Sequence, residues 1–190
     1  MTAKTKWPAE DAAIIARSLM EQLRPSCLMI EIAGSLRRQK LTVSDIEIVF
    51  VPKIAKESDG LFDTKDYSLA ERVIDSWLSS GMITKRLAVT GKVSAWSKLN
   101  RHAVHRESGI NVDFFCEPDL LDWPRTLVIR TGGKDTNIRL MASAPKHGIQ
   151  PHAYGEAFHK ISNGDRVFAR DEREIFHLCG CEYLDPKDRS

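Results

Sequence analysis

An α+β fold is what this sequence predicts: a mixed β-sheet with flanking helices, followed by a smaller α/β C-terminal subdomain. Three observations carry that expectation. Ile15, Leu19 and Leu23 recur on one face of residues 8–24, the spacing of an amphipathic helix. Runs rich in strand formers follow at residues 28–32, 44–51 and 110–116. Near residue 130 the pattern changes to helix and hairpin signals, so residues 1–130 read as the sheet domain and 131–190 as the second unit. At 190 residues the chain suits one domain or two small packed ones.

The first helix is framed by Pro8 in its opening turn, by Glu10 and Asp11 at its positive end, and by Arg24-Pro25 as a stop. Strand 28–32 then runs into Ala33-Gly34-Ser35-Leu36-Arg37-Arg38, a Gly-Ser turn opening a short basic helix. The next strand carries Asp45 and Glu47 on one face, while Ile46, Ile48 and Phe50 point to the core. Two adjacent carboxylates repel unless a cation lies between them, and a divalent metal is the usual answer where phosphate is handled. Backbone N–H groups at Gly34 and Ser35 supply phosphate ligands to match.

Residues 52–60 read as a polar connection, 67–80 as a helix ended by Gly81, 82–90 as a strand, and Gly91-Lys92 as a turn. Asp113 is the one acid in Ile110-Asn111-Val112-Asp113-Phe114-Phe115-Cys116, and an acid in such a run must be paired, hydrogen-bonded or metal-bound. Set beside the first acidic strand, it completes a cluster of three carboxylates. Thr131-Gly132-Gly133 then breaks the apolar segment 127–129 and leads to a helix from Asp135 toward Ala144, closed by Gly148. Gly133-Lys134 is not a Walker motif: no Gly stands five residues earlier, and Asp135 replaces the Ser or Thr. Asn163-Gly164 signals a two-residue hairpin, and Asp171 with Glu174 a capping box starting a helix through Leu178.

Composition bounds the function. Hydrophobic residues make up 42% and charged residues 28%, ordinary for a globular protein, and no apolar run approaches the roughly 18 residues of a membrane span. Residues 1–8 lack an apolar signal core, and the spacing of Cys27, Cys116, Cys179 and Cys181 is not that of a disulfide framework. A reduced, cytoplasmic setting is expected, not secretion. His177, Cys179 and Cys181 read as structural. From Lys85 to Arg106 the chain holds Lys85, Arg86, Lys92, Lys98, Arg101 and Arg106, with His102 and His105 and no acid. Arg125, Arg130, Lys134 and Arg139 continue the trend, which suggests faces that track a phosphate backbone.

With these pieces in order, the sequence resembles the family X DNA polymerases, the group containing DNA polymerase beta. Gly34-Ser35-Leu36-Arg37-Arg38 followed by Ser44-Asp45-Ile46-Glu47 is similar to the nucleotidyltransferase signature that holds the triphosphate and two metals. Val112-Asp113-Phe114-Phe115 looks like the strand of the third carboxylate. Arg130-Thr131-Gly132-Gly133 with Asn137 resembles the nucleotide-pocket segment, and Glu174-Ile175-Phe176 with Tyr183-Leu184-Asp185-Pro186-Lys187-Asp188-Arg189 the C-terminal end. The resemblance implies a nucleotidyltransferase palm over residues 1–130 and a thumb-like nucleotide-binding subdomain over 131–190. The implied reaction is two-metal transfer of nucleotides to a DNA primer 3′-OH, in short-gap filling and repair. Asp45, Glu47 and Asp113 would be catalytic and hold two Mg²⁺ ions, for which Mn²⁺ substitutes.

Gly34, Ser35, Arg38, Ser44, Arg130, Thr131, Gly132, Lys134 and Asn137 would bind the nucleoside triphosphate, with Asn137 at its base edge. DNA, as primer–template or gapped duplex, would lie on Lys85, Arg86, Lys92, Lys98, Arg101, Arg106 and Arg139. A monomer at a nucleoid or viral replication site, without membrane contact, is the expected context. There is no room ahead of residue 8 for the lyase and helix-hairpin-helix modules of many relatives, so removal of 5′-deoxyribose phosphate is not expected.

Some positions depart from the family pattern. Glu47 stands where the polymerases have Asp, Asn111 replaces an arginine beside the third acid, and Phe115 replaces a polar residue. Ile129-Arg130 replaces an aromatic pair that lies against the sugar, which leaves discrimination against ribonucleotides open. Two further classes fit the same residues: a non-polymerase or template-independent nucleotidyltransferase, and a weakly active DNA- or nucleotide-binding module.

Overall fold

The structure, a computed structural model, describes residues 5–58, 63–152 and 157–190. The short strand β1 (Trp7–Pro8) leads into helix α1 (Ala9–Leu23), whose buried stripe is Ala12, Ala16, Leu19 and Leu23. The helical period recognised in the larger residues is therefore completed by two alanines, which let the helix approach the sheet closely. Strand β2 (Cys27–Ile32) enters the single-turn helix α2 (Gly34–Arg37), followed by β3 (Thr42–Val43), which pairs with β1, and by β4 (Asp45–Pro52).

Residues 54–58 are not a loop. They form strand β5 (Ile54–Ser58), paired antiparallel with β6 (Thr64–Ser68), and residues 59 and 60 of the expected connection lie outside the described residues. This ribbon is mostly exposed and polar, so no buried face imposes a visible apolar alternation on it. Tyr67 and Ser68 close β6, and helix α3 (Leu69–Ser80) starts two residues later than expected because the Ser68 hydroxyl caps it, accepting the Glu71 N–H at 3.1 Å. The predicted strand at 82–90 shrinks to β7 (Ile83–Lys85). Beyond Arg86 the chain turns back on itself, with the Ala88 N–H bonded to the Lys92 carbonyl, before β8 (Asn100–His105) and β9 (Asn111–Cys116).

The main sheet runs β2-β4-β9-β8-β7; β4 and β9 are parallel and the other neighbours antiparallel. One face packs on α1 and α3 through Ile46, Ile48, Phe50, Val112 and Phe114. The other changes character along the strands. It carries Asp45 and Glu47 and then Val49 on β4, and Asp113 and then Phe115 on β9. Val49 and Phe115 join Ala33 in a small core covered by Trp123, which leaves the acids at the open end.

Trp123 begins helix α4 (Trp123–Thr131), which contains the apolar segment 127–129 and spans the anticipated division at residue 130. Val128 already belongs to the C-terminal core, with Leu140 of α5 (Lys134–Ser143), Ile149 of β10 (Ile149–Gln150) and Phe158 of β11 (Phe158–Lys160). Strand β11 also pairs with β12 (Arg166–Val167), and Asn163-Gly164 sits within a longer turn than the two-residue hairpin expected. Helix α6 (Glu172–Leu178) adds Ile175 and Phe176 to this core; its cap is Asp171, which accepts the Glu174 N–H at 2.9 Å. All four cysteines are free thiols. No helix among the described residues is long and apolar enough to cross a membrane.

The two cores are joined by a polar clasp. The Arg37 guanidinium donates to both oxygens of Glu172 at 2.8 Å and to the Thr131 hydroxyl at 2.6 Å, and the fully buried Arg189 donates to Glu172 at 3.0 Å. The chain end closes the same region: a side chain at Gly133 would overlap the Ser190 backbone, whose carbonyl accepts the Thr136 N–H at 2.8 Å.

Candidate active site

The parallel ladder places Glu47 directly across from Asp113 and Asp45 across from Asn111. Neighbouring strands lie about 4.8 Å apart and alternate residues share a face, so the three carboxylates face the same way. Burial raises the Glu47 carboxyl to about 7, and the charges of Asp45 and Asp113 push it in the same direction; Arg130 and Arg38 offset this only in part. Burial likewise raises Asp113, against the opposing pull of Arg86 and His102. Glu47 and Asp113 are thus both held above the ordinary carboxylate range, chiefly by burial, and Arg38, Arg130 and Arg86 oppose that only in part.

Glu47 rests against the phosphate-binding turn. The Ala33 N–H donates to the Glu47 carbonyl at 2.8 Å, and a Cβ at Gly34 would lie 2.7 Å from Glu47 Cδ. With φ +60° as well, only glycine suits position 34. The longer Glu side chain thus occupies space that the missing side chain leaves open, a physical reason for Glu to be accommodated here.

The predicted nucleotide residues gather around the same turn. Arg38 reaches across to donate to the Thr131 carbonyl, and its Nε is buried without a hydrogen bond. Burial lowers the Arg38 guanidinium, though Glu47 and Asp45 counter it. Gly132 lies between Arg38 and Asn137: a side chain there would stand 3.4 Å from Arg38 Nη1 and 3.7 Å from Asn137 Nδ2. Asn137 donates to the Ile129 carbonyl at 2.9 Å, and its buried Oδ1 has no partner. Ser35 and Ser44 are half-buried beside the turn, whereas Lys134 is exposed on the first turn of α5.

Arg130 is a different matter. Its guanidinium lies over Phe115, 3.6 Å from the ring centre, and donates to Asn100 Oδ1 at 3.1 Å. It therefore stands on the acidic face of the sheet and forms one wall of a cavity of about 210 Å³, lined also by Asn100, Phe115, Arg125 and Thr126. Within that junction Glu117 is buried and receives the Thr126 hydroxyl and, at 3.3 Å, Arg125.

Of the predicted DNA-facing cations, Lys85, Lys92, Lys98, Arg106 and Arg139 are exposed. Arg101 departs from the expectation of an exposed contact: it is 8% exposed and bonded to Asp75 at 2.6 Å beneath Trp96, so its charge is spent inside the protein. Arg86 also turns inward, to Asp113. Sequence reasoning missed the role of His102, which pairs across from Asp113 in the sheet and hydrogen-bonds Ser94 Oγ at 2.9 Å through Nδ1. It also missed the Arg37–Glu172 clasp, for which the Arg37-Arg38 doublet was the sole local hint.

The donor set suits a hard divalent cation, being all carboxylate oxygen, with Asp113 Oδ1 buried and lacking a hydrogen bond. Among the described residues, however, no three His, Cys, Asp or Glu side chains are already gathered as a metal-binding group.

Comparison with known proteins bears on the fold. Residues 126–190 match the family model described as DNA polymerase beta thumb. Polymerase beta of Leishmania infantum, solved as a ternary P/T complex, shares the fold with a TM-score of 0.71 at 17% identity, over 98% of this chain and 77% of that one. No curated protein sequence matches the chain. The mixed α+β architecture is thus that of polymerase beta, and the C-terminal segment carries its thumb pattern.

Proposed function

We propose that this chain is a DNA polymerase of the family X type, joining nucleotides to a primer 3′-hydroxyl in short-gap filling. The observation that carries the reading is the β4–β9 register, which sets Glu47 across from Asp113 on the face that also carries Asp45, while Glu47 itself lies against the Gly34 turn. In this reading Asp45, Glu47 and Asp113 hold two Mg²⁺ ions, for which Mn²⁺ substitutes. When bound, such ions neutralise the attacking and leaving oxygens of an in-line displacement at the α-phosphate.

The protein's own residues bind and orient. The Gly34–Ser35 amides and Arg38 face the β- and γ-phosphates, with Ser44 supporting the turn, and Arg offers the forked donors such oxygens accept. Thr131, Gly132 and Asn137 form the wall for sugar and base, and the unpartnered Asn137 Oδ1 supports a role in base recognition. Arg130, held on Phe115, keeps positive charge beside Glu47. Lys134 stands at the rim, and Lys85, Lys92, Lys98, Arg106 and Arg139 offer a surface for the DNA backbone.

Primer extension with Mg²⁺ or Mn²⁺ on gapped, recessed and single-stranded DNA, with dNTPs and rNTPs offered separately, tests the proposal. Templated addition, strongest on the gapped duplex, is expected. Untemplated addition would instead assign a terminal transferase, and tight DNA binding without extension a binding module.

A further inference from the structure

Asp113 is held by a cation that the protein itself supplies. Arg86 follows β7 directly; its N–H donates to the His102 carbonyl at 3.0 Å and its carbonyl accepts the Ser94 N–H at 2.8 Å, so its backbone is fixed from both sides. Its guanidinium stands 2.8 Å from Asp113 Oδ1 and donates to Oδ2 at 3.2 Å. The contact at Oδ1 is close but misaligned, for Oδ1 makes no hydrogen bond. The side chains of Arg86 and Asp113 are 21% and 11% exposed, so the pair is shielded yet still within reach of solvent. An arginine in this position occupies the oxygens that a divalent cation would need.

Arg86 also belongs to the acid-free stretch from Lys85 to Arg106, which carries the exposed Lys85 and Lys92. A phosphate drawn to that stretch presents the guanidinium with the same forked pairing that a carboxylate does.

We infer that Arg86 masks Asp113 in the DNA-free protein and exchanges it for a backbone phosphate when a primer binds, which releases Asp113 to a divalent cation. The inference rests on the polymerase reading and adds an order of events to it: DNA first, the cation at Asp113 second. Charge balances, since one guanidinium–oxyanion pair replaces another and the cation takes over beside Asp113. Arg86 acts as a positioning residue, and because coupling is reciprocal, DNA must tighten cation binding by the factor by which the cation tightens DNA.

Titration of Mn²⁺ by electron spin resonance, without nucleotide, reads this directly in the full chain with and without a recessed primer–template duplex. Wild type is expected to bind Mn²⁺ about tenfold tighter with DNA, within the usual range of coupling between sites. Arg86→Gln is expected to reach that affinity without DNA and to gain less than about twofold on its addition. The DNA-dependent gain is expected to vanish in Asp113→Asn, which separates it from Mn²⁺ held by the duplex. An Arg86→Gln protein whose DNA-free affinity equals or falls below that of wild type overturns the inference, as does a wild-type affinity indifferent to DNA. Should Arg86→Gln not fold, Arg86→Lys, which keeps charge but loses the fork, is judged by the same DNA-free comparison. Failure of primer extension bears on the polymerase reading, whereas the DNA-free comparison of wild type with Arg86→Gln bears on masking.

Discussion

Glu47 and Glu172 are both shielded glutamates flanked by arginines, and they behave oppositely. At Glu172 burial works to raise the carboxyl, but hydrogen bonds from Arg37 and Arg189 outweigh it and hold the group below its ordinary range. At Glu47 burial is reinforced by Asp45 and Asp113, and the group rises to about 7 despite Arg130 and Arg38. The difference lies in direction and sharing of charge. Glu172 receives a fork from one arginine and a further bond from another, whereas near Glu47 Arg38 donates to the Thr131 carbonyl and Arg130 to Asn100. One glutamate fastens the two cores together; the other stores electrostatic tension where the structure would use a cation.

Removing each carboxylate should break the symmetry in opposite directions. The largest effect belongs to Glu172→Ala, which strands Arg37 and the fully buried Arg189; a loss of about 3–5 kcal/mol in chemical denaturation is expected. Unchanged stability would show that the clasp is not a joint. Glu47→Gln should do the reverse, stabilising the fold by about 3 kcal/mol at pH 8 while impairing transfer. The sign follows from linkage: a carboxyl raised from 4.5 to about 7 binds more protons in the folded than in the unfolded state between those values. Its contribution to stability therefore falls as pH rises from about 4.5 to 7, and the Glu47→Gln advantage should disappear below pH 4.5. A variant no more stable than wild type at pH 8 would contradict the raised carboxyl.

Much of the acidic face was legible because strand physics writes it plainly. Acids alternating with Ile46, Ile48 and Phe50 fix which way Asp45 and Glu47 point, and an acid inside 110–116 demands a partner. Helix α1 was readable from its periodicity and α6 from its cap. The β5–β6 ribbon was not, because its exposed, polar strands are held by backbone pairing and not by a buried face. Nor were the pairings of Arg86 with Asp113 and Arg101 with Asp75, since an ion pair between distant segments leaves no period in the chain. A basic run looks like a surface in sequence; here two of its members point inward and one meets the acid that the reaction would need.

The account's central claim is that the face shared by Asp45, Glu47 and Asp113 performs nucleotidyl transfer. Its most direct test is single-turnover primer extension by Asp113→Ala, measured beside nucleoside triphosphate binding. The account predicts triphosphate affinity within about threefold of wild type, since Asp113 lies away from the Gly34 turn, and transfer reduced by at least about a thousandfold. An Asp113→Ala enzyme that extends primers at a near-normal rate would contradict it.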